Sequence, residues 1–459
     1  MRKTILLVLI LIIAIGCRTG GKGVRDKGDL VVNRTKTKWR AETPTGMVFI
    51  PGGTFTMGKQ DEDQSGTLNT PARTVTVRPF YMDETEITNG EYKKFVHWVR
   101  DSIVRTKLAL FAEYTDDPAN GPLGAYTFQD TVDTDNMYIK YMLENYGTLG
   151  DINSPTMGRF LKWDEDLVWN PADFPSMEYA EVMDSMYLPL EECFDGRRMI
   201  DVRKLKYEYV WLDRETAARK QSTRSEQMHR KIVEVYPDTT VWVKDFNYSY
   251  NDPMHQDYFW HPAYTDYPVV GVNWHQANAF SNWRTKYKND YIASLPAKKK
   301  ASRVSSFRLP LESEWEYAAR GGIEFGKYPW GGIYTTSDQG CFLANFKPAR
   351  GDYAVDGALY TMEAKSYNKN GYGLYNMAGN VAEWTKTAYN EGTYYFASTM
   401  NPNVEDSGNG LKIVRGGSWK DIAYFLEVSS RDFEYADTAR SYIGFRTVQD
   451  YLGTDMKGK

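Results

Sequence analysis

Cysteine and histidine are scarce in this chain, and the few that are present lack the spacing of common metal sites. The 459 residues include three cysteines, Cys17, Cys193 and Cys341, which are too few for a four-cysteine zinc site or for a disulfide framework in a chain of this length. No two of the five histidines have the i, i+4 spacing of a zinc-protease helix, and no Gly-rich phosphate loop is present. These shortages exclude zinc-finger, zinc-protease and phosphate-loop classes.

An excess of positive charge and an apolar run of membrane-spanning length are also missing. The formal net charge is −4 and the pI is about 5.9, whereas nucleic-acid binding requires a basic surface. The apolar run at residues 5–15 is shorter than the ~20 residues that span a bilayer. Aromatic residues make up 15% of the chain, a composition typical of a globular protein and not of a disordered one.

The N-terminus has the pattern of a bacterial lipoprotein signal. Arg2-Lys3 precedes the apolar run, which ends in Ala14-Ile15-Gly16-Cys17. This order resembles a lipobox, so residues 1–16 are predicted to be a signal peptide and Cys17 to carry lipid. An ordinary signal peptide with a chance cysteine nearby and an uncleaved anchor are the alternatives.

The residues after Cys17 predict where the chain is anchored. Arg18 stands where an Asp typically retains lipoproteins in the inner membrane, so the expected location is the outer membrane, facing the periplasm. Residues 17–45 are rich in Gly, Lys, Arg and Thr and are predicted to be a flexible tether.

Strand and helix patterns begin at Met47. The run of residues 47–58 has β-type composition interrupted by Pro51-Gly52-Gly53, which predicts a hairpin. Thr88 and Glu91 have capping-box spacing ahead of an amphipathic helix. Further helices are predicted over 274–283 and over 312–320, the latter ended by Gly321-Gly322.

Charge is distributed unevenly along the chain. Residues 101–200 contain 19 Asp and Glu against 7 Lys and Arg, whereas residues 284–308 contain eight basic residues and one acidic residue, Asp290. A solvated acidic face and a docking surface for a partner both explain the first stretch. Opposite charges in one chain favour ordered assembly, although solubility alone also explains them.

Seven ordered blocks together resemble the formylglycine-generating enzyme, or sulfatase-modifying factor, family. They are MVFIPGGTFTMG (47–58), YMDETEITNGEYKKF (81–95), YPVVGVNWHQANAFSNW (267–283), FRLPLESEWEYAARGG (307–322), YPWG (328–331), NGYGLYNMAGNVAEW (370–384) and VRGGSW…GFR (414–446). The resemblance implies an α+β domain with an irregular, C-type-lectin-like fold of low regular secondary structure. The expected domain covers residues 46–449, with a large acidic, aromatic insertion at about 100–265 and a C-terminal tail at 450–459.

The resemblance also identifies residues that decide whether the chain is an oxidase. Enzyme members of the family bind copper between two cysteines shortly after the Arg-Gly-Gly-Ser block, and here those positions are Asp421 and Leu426. A cuprous ion requires soft thiolate ligands, so no copper, no catalytic residue and no enzyme activity are expected. Iron, which another branch of the family holds with three histidines, is not expected either, because His255, His261 and His275 lack a recognisable helical motif.

Calcium is the one cofactor that the resemblance favours, in a structural role. The first set of ligands would be the Asn376 side chain, the carbonyls of Gly379 and Val381, and the Glu383 carboxylate. The second set would be Asn345, the Phe346 carbonyl, Asp356 and the Ala358 carbonyl. Both are sets of hard oxygen donors, which calcium prefers; the alternative is that these residues cap turns through local hydrogen bonds.

A lipidated, periplasm-facing member of this family without the copper cysteines resembles the scaffold lipoproteins of gliding motility and type IX protein secretion. The resemblance implies a non-catalytic component of a ring under the outer membrane, self-associated and assembled with a GldN/PorN-like periplasmic protein. A calcium-dependent, lectin-like glycan binder is the alternative, and an oxygen-dependent sulfur oxidase is a further one.

Overall fold

The first two strands of the domain pair with the next two strands along the chain. In a computed structural model, the described residues are 43–59, 69–114, 123–129, 160–193, 196–212, 226–246, 253–296, 303–348, 358–405 and 408–453. Strands β1 (Met47–Ile50) and β2 (Gly53–Met57) pair antiparallel with β4 (Phe80–Asp83) and β3 (Arg73–Val77), respectively. The predicted signal peptide at 1–16, Cys17 and most of the predicted tether lie outside the described residues.

The hairpin predicted across Pro51-Gly52-Gly53 is therefore wrong. The segments 47–57 and 73–83 instead form one long antiparallel pair, and Pro51-Gly52 marks a bend within it. A Cβ on Gly52 would lie 2.6 Å from Cδ of Pro79, so the close approach of the two bends requires a residue without a side chain. Pro-Gly-Gly moves the chain from one sheet to the next and does not reverse it.

Helices begin where side chains satisfy their first N–H groups. Helix α1 (Asn89–Tyr114) starts with the predicted capping box, in which the Glu91 carboxylate accepts from the Thr88 N–H at 3.0 Å. After the short helices α2 (Met177–Asp184), α3 (Val241–Asp245) and α4 (Pro253–Asp257), helix α5 (Trp274–Ser294) starts with a second capping box between Asn273 and Gln276. Helix α5 is twice as long as predicted.

The remaining helices complete the domain. Helix α6 (Glu312–Arg320) ends as predicted at Gly321, which has φ 59° and donates its N–H to the Ala318 carbonyl. Helix α7 (Thr393–Phe396) is a single turn. In the described parts of the chain, 3-10 turns lie at Gly124–Tyr126, Pro171–Asp173, Leu190–Glu192, Val202–Lys204, Pro262–Tyr264 and Ala423–Leu426. Within the described ranges, no helix is both long and apolar enough to cross a lipid bilayer.

Two four-stranded sheets and three two-stranded ribbons make up the β-structure of the described residues. The remaining strands are β5 (Phe128–Gln129), β6 (Phe160–Leu161), β7 (Lys206–Leu212), β8 (Met228–Glu234), β9 (Phe307–Arg308), β10 (Ala382–Ala388), β11 (Leu411–Arg415), β12 (Asp432–Tyr435), β13 (Ile443–Gly444) and β14 (Val448–Asp450). The sheet orders are β1-β4-β14-β9 and β12-β11-β10-β13, and only the β10–β13 pair in these sheets is parallel. This mixture of helices and short strands agrees with the α+β prediction.

The main core lies between α1, α5 and the second sheet. Tyr92 stacks on Phe280 with ring centroids 5.6 Å apart, and Trp384 and Phe445 complete the same buried cluster. Tyr179 and Tyr207, from the stretch predicted to be an insertion, are buried in this cluster too. Residues 41–453 form one compact unit, so the described parts of that stretch share the core of the domain.

Candidate functional site

The segment that follows β11 contains Asp421 and Leu426, the two positions that the family resemblance assigns to copper-binding cysteines. Asp421 is almost fully buried; its Oδ2 accepts from the Ser418 hydroxyl at 2.6 Å and its Oδ1 lies 3.0 Å from the Lys420 ammonium. The Asp421 carbonyl accepts from the Lys347 N–H at 2.9 Å. This carboxylate is therefore held by a local hydroxyl and an ammonium group, an arrangement that stabilises the loop.

Leu426 fills the second position with an apolar side chain. It is fully buried in a cluster with Tyr328, Ala344, Phe346 and Ala378. A Cβ on Gly417 would lie 2.9 Å from Cδ1 of Leu426, so the backbone of the Arg-Gly-Gly-Ser block packs directly on this side chain. The second position that the resemblance assigns to a cysteine is therefore fully apolar in this chain.

The described cysteines and histidines do not form a metal-binding group with this segment. Cys193 and Cys341 are both free thiols. His255 stacks on Trp242 at 4.9 Å, His261 caps a 3-10 turn through Nδ1, and Nε2 of His275 lies 3.1 Å from the Asp437 carboxylate. Within the described part of the chain, no three His, Cys, Asp or Glu side chains cluster in a way that would hold a metal ion.

The first predicted calcium set lies in the buried turn that precedes β10 and at the start of that strand. Asn376 and Gly379 both have positive φ, 50° and 80°. The Asn376 amide donates to the Glu86 carboxylate at 3.2 Å and to the Ala364 carbonyl at 3.1 Å, and Val381 is buried beside this turn. Sequence reasoning missed Glu86, because it lies 290 residues away from Asn376.

Glu383, the carboxylate of that set, is bound by other side chains. Its two oxygens accept from Nε and Nη2 of Arg446 at 2.6–2.9 Å, and Oε2 also accepts from the Trp315 indole at 2.8 Å. Both members of the ion pair are buried. The negative charge of Glu383 is thus already balanced by Arg446, and a calcium ion would have to share that carboxylate with the guanidinium.

Glu86 is the buried carboxyl in this region that is bound mainly by amides. It accepts from Asn376 and, at 2.9 Å, from Asn380. Burial is the largest cause that raises the pKa of Glu86 to about 8; the Arg446 guanidinium opposes this shift, whereas the neighbouring Glu383 charge contributes to it. Protonation or a cation would relieve the cost of this buried charge.

The second predicted set adjoins the first. The Asn345 carbonyl accepts from the Asn380 N–H at 2.8 Å, and the Asn345 amide donates to the Tyr360 carbonyl at 2.7 Å. Phe346 is buried, Ala358 is partly exposed, and Asp356 lies outside the described residues. The oxygen donors fit the chemistry of calcium, but Asn345, Asn376 and Glu383 already take part in hydrogen bonds within the fold, so calcium at both sets stays a prediction.

A second buried charge network joins the Arg-Gly-Gly-Ser block to α6. Arg415 is fully buried, makes an ion pair with Glu316 and donates to the carbonyls of Val428, Ser429 and Ser430. Glu316 also accepts from Arg320 at 2.7 Å and from the Gly58 N–H at 2.8 Å. These contacts link the segment after β11 to α6 and to the segment after β2.

The described part of the acidic stretch exposes its carboxylates to solvent, while its tryptophans pack against α1. Residues 160–193 contain nine carboxylates and one Lys, and all nine carboxylates are exposed: Asp164, Glu165, Asp166, Asp173, Glu178, Glu181, Asp184, Glu191 and Glu192. The Arg100 guanidinium lies 3.9 Å from the Trp169 ring, and Trp163 stacks on Trp98 at 5.6 Å. Aromatic and cation–π contacts therefore fix an acidic surface in place.

Comparison with known proteins identifies relatives over most of this chain. The model of the sulfatase-modifying factor enzyme 1-like domain matches residues 33–143 and 201–451. The formylglycine-generating enzyme of Streptomyces coelicolor is 32% identical over 189 residues, 40% of this chain and 53% of its own, so the match spans about half of that relative. The inactive C-alpha-formylglycine-generating enzyme 2 of Bos taurus is 24% identical over 406 residues, 87% of this chain and 86% of its own. The structure of PvdO from Pseudomonas aeruginosa aligns over 88% of this chain and 94% of its own with 16% identity and a TM-score of 0.43.

Proposed function

Because the chain belongs to the sulfatase-modifying factor enzyme 1-like domain family, we propose that it is a non-catalytic member. The proposal rests on the residues that stand at the two positions where enzyme members of the family have copper-binding cysteines. Asp421 is tied to Ser418 and Lys420, and Leu426 is buried in an apolar cluster. Neither supplies the thiolate that a cuprous ion requires. A relative from Bos taurus whose name marks it as inactive supports the existence of such members.

The structural role that fits best is that of GldK, also called PorK, with the related GldJ as a close alternative. We infer a lipoprotein that is attached to the outer membrane through Cys17, faces the periplasm and forms a ring with a GldN/PorN-like protein. The N-terminal sequence, the family domain and the exposed acidic surface at 160–193 support this role. Attachment of many lipidated copies in one ring would hold it firmly to the membrane.

Copper binding tests the non-catalytic proposal. The full chain is loaded with cuprous ion, dialysed against a competing chelator and analysed for metal, with the Streptomyces coelicolor relative as a positive control. We expect no copper in the wild type and no oxygen-dependent oxidation of a cysteine peptide. The double variant Asp421→Cys/Leu426→Cys restores two thiols and is expected to retain copper. Stoichiometric copper in the wild type would refute the proposal.

Particle size and composition test the scaffold role. A tag after Lys459 allows extraction of the full chain in mild detergent and identification of co-purifying proteins. We expect large particles that contain a periplasmic partner in fixed ratio. A lone monomer would contradict the scaffold, and saturable glycan binding that is lost with chelator would then support the lectin-like alternative.

Charge reversal on the acidic surface tests the scaffold role more specifically than deletion of the whole stretch. A deletion would also disturb the domain core, because described parts of this stretch belong to it. The variant Asp164→Lys/Glu181→Lys/Glu191→Lys changes three exposed side chains and is expected to reduce assembly, and wild-type assembly is expected to weaken as salt screens the charges. The matched control reverses three exposed carboxylates outside the stretch, Glu324, Asp338 and Glu391. Equal assembly of both variants would show that the acidic surface is only a solvated face.

A further inference from the structure

Strand β12 is the outer strand of the second sheet. The sheet order is β12-β11-β10-β13, so β12 pairs with β11 on one side, and within the described ranges no strand pairs with its other side. Phe433 and Tyr435 are 43% and 58% exposed, and Phe433 packs on Tyr389 with ring centroids 4.1 Å apart. An open edge that carries exposed aromatic residues is a template for pairing with another chain.

The register of β12 shows which of its backbone groups face away from the sheet. In an antiparallel pair, the N–H and C=O groups of one residue face the partner strand, and those of the next residue face away. The Ala436 N–H donates at 2.9 Å to the carbonyl of Gly410, which directly precedes β11. Even-numbered residues of β12 therefore face β11, whereas the backbone groups of Phe433 and Tyr435 face outward.

Three of these four outward groups are bound within the same chain. The Phe433 N–H donates to Oδ1 of Asp432 at 2.8 Å, and the Tyr435 N–H donates to Oε1 of Glu434 at 2.9 Å. The Tyr435 carbonyl accepts from the Thr438 N–H at 3.0 Å, in the turn that follows the strand. Each outward N–H is therefore bound by the carboxylate of the residue that precedes it.

Arg440 holds one of these two carboxylates in place. Its Nε donates to Oε2 of Glu434 at 2.7 Å, while Oε1 of the same carboxylate accepts from the Tyr435 N–H. Nη1 of Arg440 also donates to the Asp245 carboxylate, at the end of α3, at 3.2 Å. The guanidinium is thus fixed on a second element, and it orients Glu434 toward the backbone of its own strand.

We propose that the Asp432 and Glu434 carboxylates block the outer edge of β12 and prevent it from pairing with β12 of another copy of this chain. An incoming strand would first have to break two hydrogen bonds to charged acceptors. A second copy is the partner that is kept away, because antiparallel pairing of an edge with itself is self-complementary in N–H and C=O groups. The inference does not depend on the scaffold role, and it identifies a surface that ordered assembly would leave unused.

Self-association of the full chain tests the proposal. The variant Asp432→Ala/Glu434→Ala removes both carboxylates and is expected to give a larger species than the wild type in sedimentation velocity under identical detergent conditions. Asp432→Asn/Glu434→Gln removes the charges but keeps an accepting oxygen on each side chain, so it is expected to sediment like the wild type. The matched control Glu391→Ala/Asp437→Ala changes the net charge equally at two exposed positions and should also sediment like the wild type.

The two variants of β12 separate hydrogen bonding from charge repulsion. Association of the alanine variant alone would support the proposal. Association of both variants would overturn it, because repulsion between carboxylates would then be what keeps the edges apart. Wild-type sedimentation of both would also overturn it, because the edge would not need to be blocked.

Amide hydrogen exchange of the wild type keeps the proposal testable if the double variant does not fold. Mass spectrometry of peptides that contain β12 is expected to show slow exchange of the Phe433 and Tyr435 amides. The single variants Asp432→Ala and Glu434→Ala should each accelerate one of these amides by about tenfold. Asp437→Ala, just beyond the strand, should accelerate neither. Fast exchange of both amides in the wild type would contradict the proposal.

Discussion

At the scale of single residues, the most unusual group is Glu86. Its carboxylate is buried among Asn376, Asn380, Glu383 and Arg446, and burial raises its pKa to about 8 from an ordinary value of 4.5. The native state therefore binds one more proton than the unfolded state between these two pH values. Stability from this group is complete below the ordinary pKa and is lost as the pH rises through about 8.

The variant Glu86→Gln tests this linkage. In the presence of a chelator, we expect the unfolding free energy of the wild type to fall with pH between 5 and 8 by up to about 1.4 kcal/mol per pH unit from this group. Glu86→Gln should remove that part of the slope, as measured by denaturant unfolding at several pH values. The control Glu405→Gln alters a half-exposed partner of Lys386 and leaves Glu86 intact. A slope that is the same in Glu86→Gln and in the wild type would contradict the assignment.

At the scale of elements, the helix starts show which local patterns suffice to predict structure. The Thr88–Glu91 capping box and the Gly321 stop were readable because each is set by residues within one turn. The sequence patterns predicted neither the capping box of α5 nor the second half of that helix. The periodicity there is interrupted by Lys286, Lys288 and Asp290, yet Ile292 is buried and holds the helix to its end.

The variant Asn273→Ala measures the contribution of the α5 cap. The Asn273 side chain accepts from the Gln276 N–H at 2.9 Å, and its loss should lower the unfolding free energy by about 1 kcal/mol. Ser294→Ala, at the other end of the same helix, is the matched control. Denaturant unfolding checks both, and an equal effect of the two changes would show that the cap contributes nothing specific.

At the scale of the whole molecule, calcium would link distant segments through one turn. Asn376 and Asn380 connect Glu86 near the start of the domain to β10 near its end, and Asn380 also contacts Asn345. A ligand that binds only the native state stabilises it by about 2.7 kcal/mol at one hundred times its Kd. Thermal unfolding in calcium and in chelator should therefore differ.

The variant Asn376→Gly is designed to remove this difference. Asn376 has φ 50°, a conformation that glycine adopts without strain, so the change keeps the backbone and removes the side-chain oxygen together with the hydrogen bonds to Glu86 and Ala364. Asn401→Gly is the matched control, because Asn401 also has a positive φ, 45°. We expect the calcium-dependent rise in Tm to be lost only in Asn376→Gly. Identical melting of the wild type with calcium and with chelator would exclude calcium from these turns.

Local sequence was enough to identify the family blocks, the α+β class, the capping box of α1 and the glycine that ends α6. These features depend on residue identity and on spacing within a few turns. The route of the chain after Pro51, the pairing of Glu383 with Arg446 across 63 residues and the contact of Glu86 with Asn376 across 290 residues depend on the folded chain. The periodicity of apolar residues indicates which face of a helix or strand is buried. It does not indicate which distant side chain packs against that face. The charge balance of the buried carboxylates therefore emerged only from the packing of the folded chain.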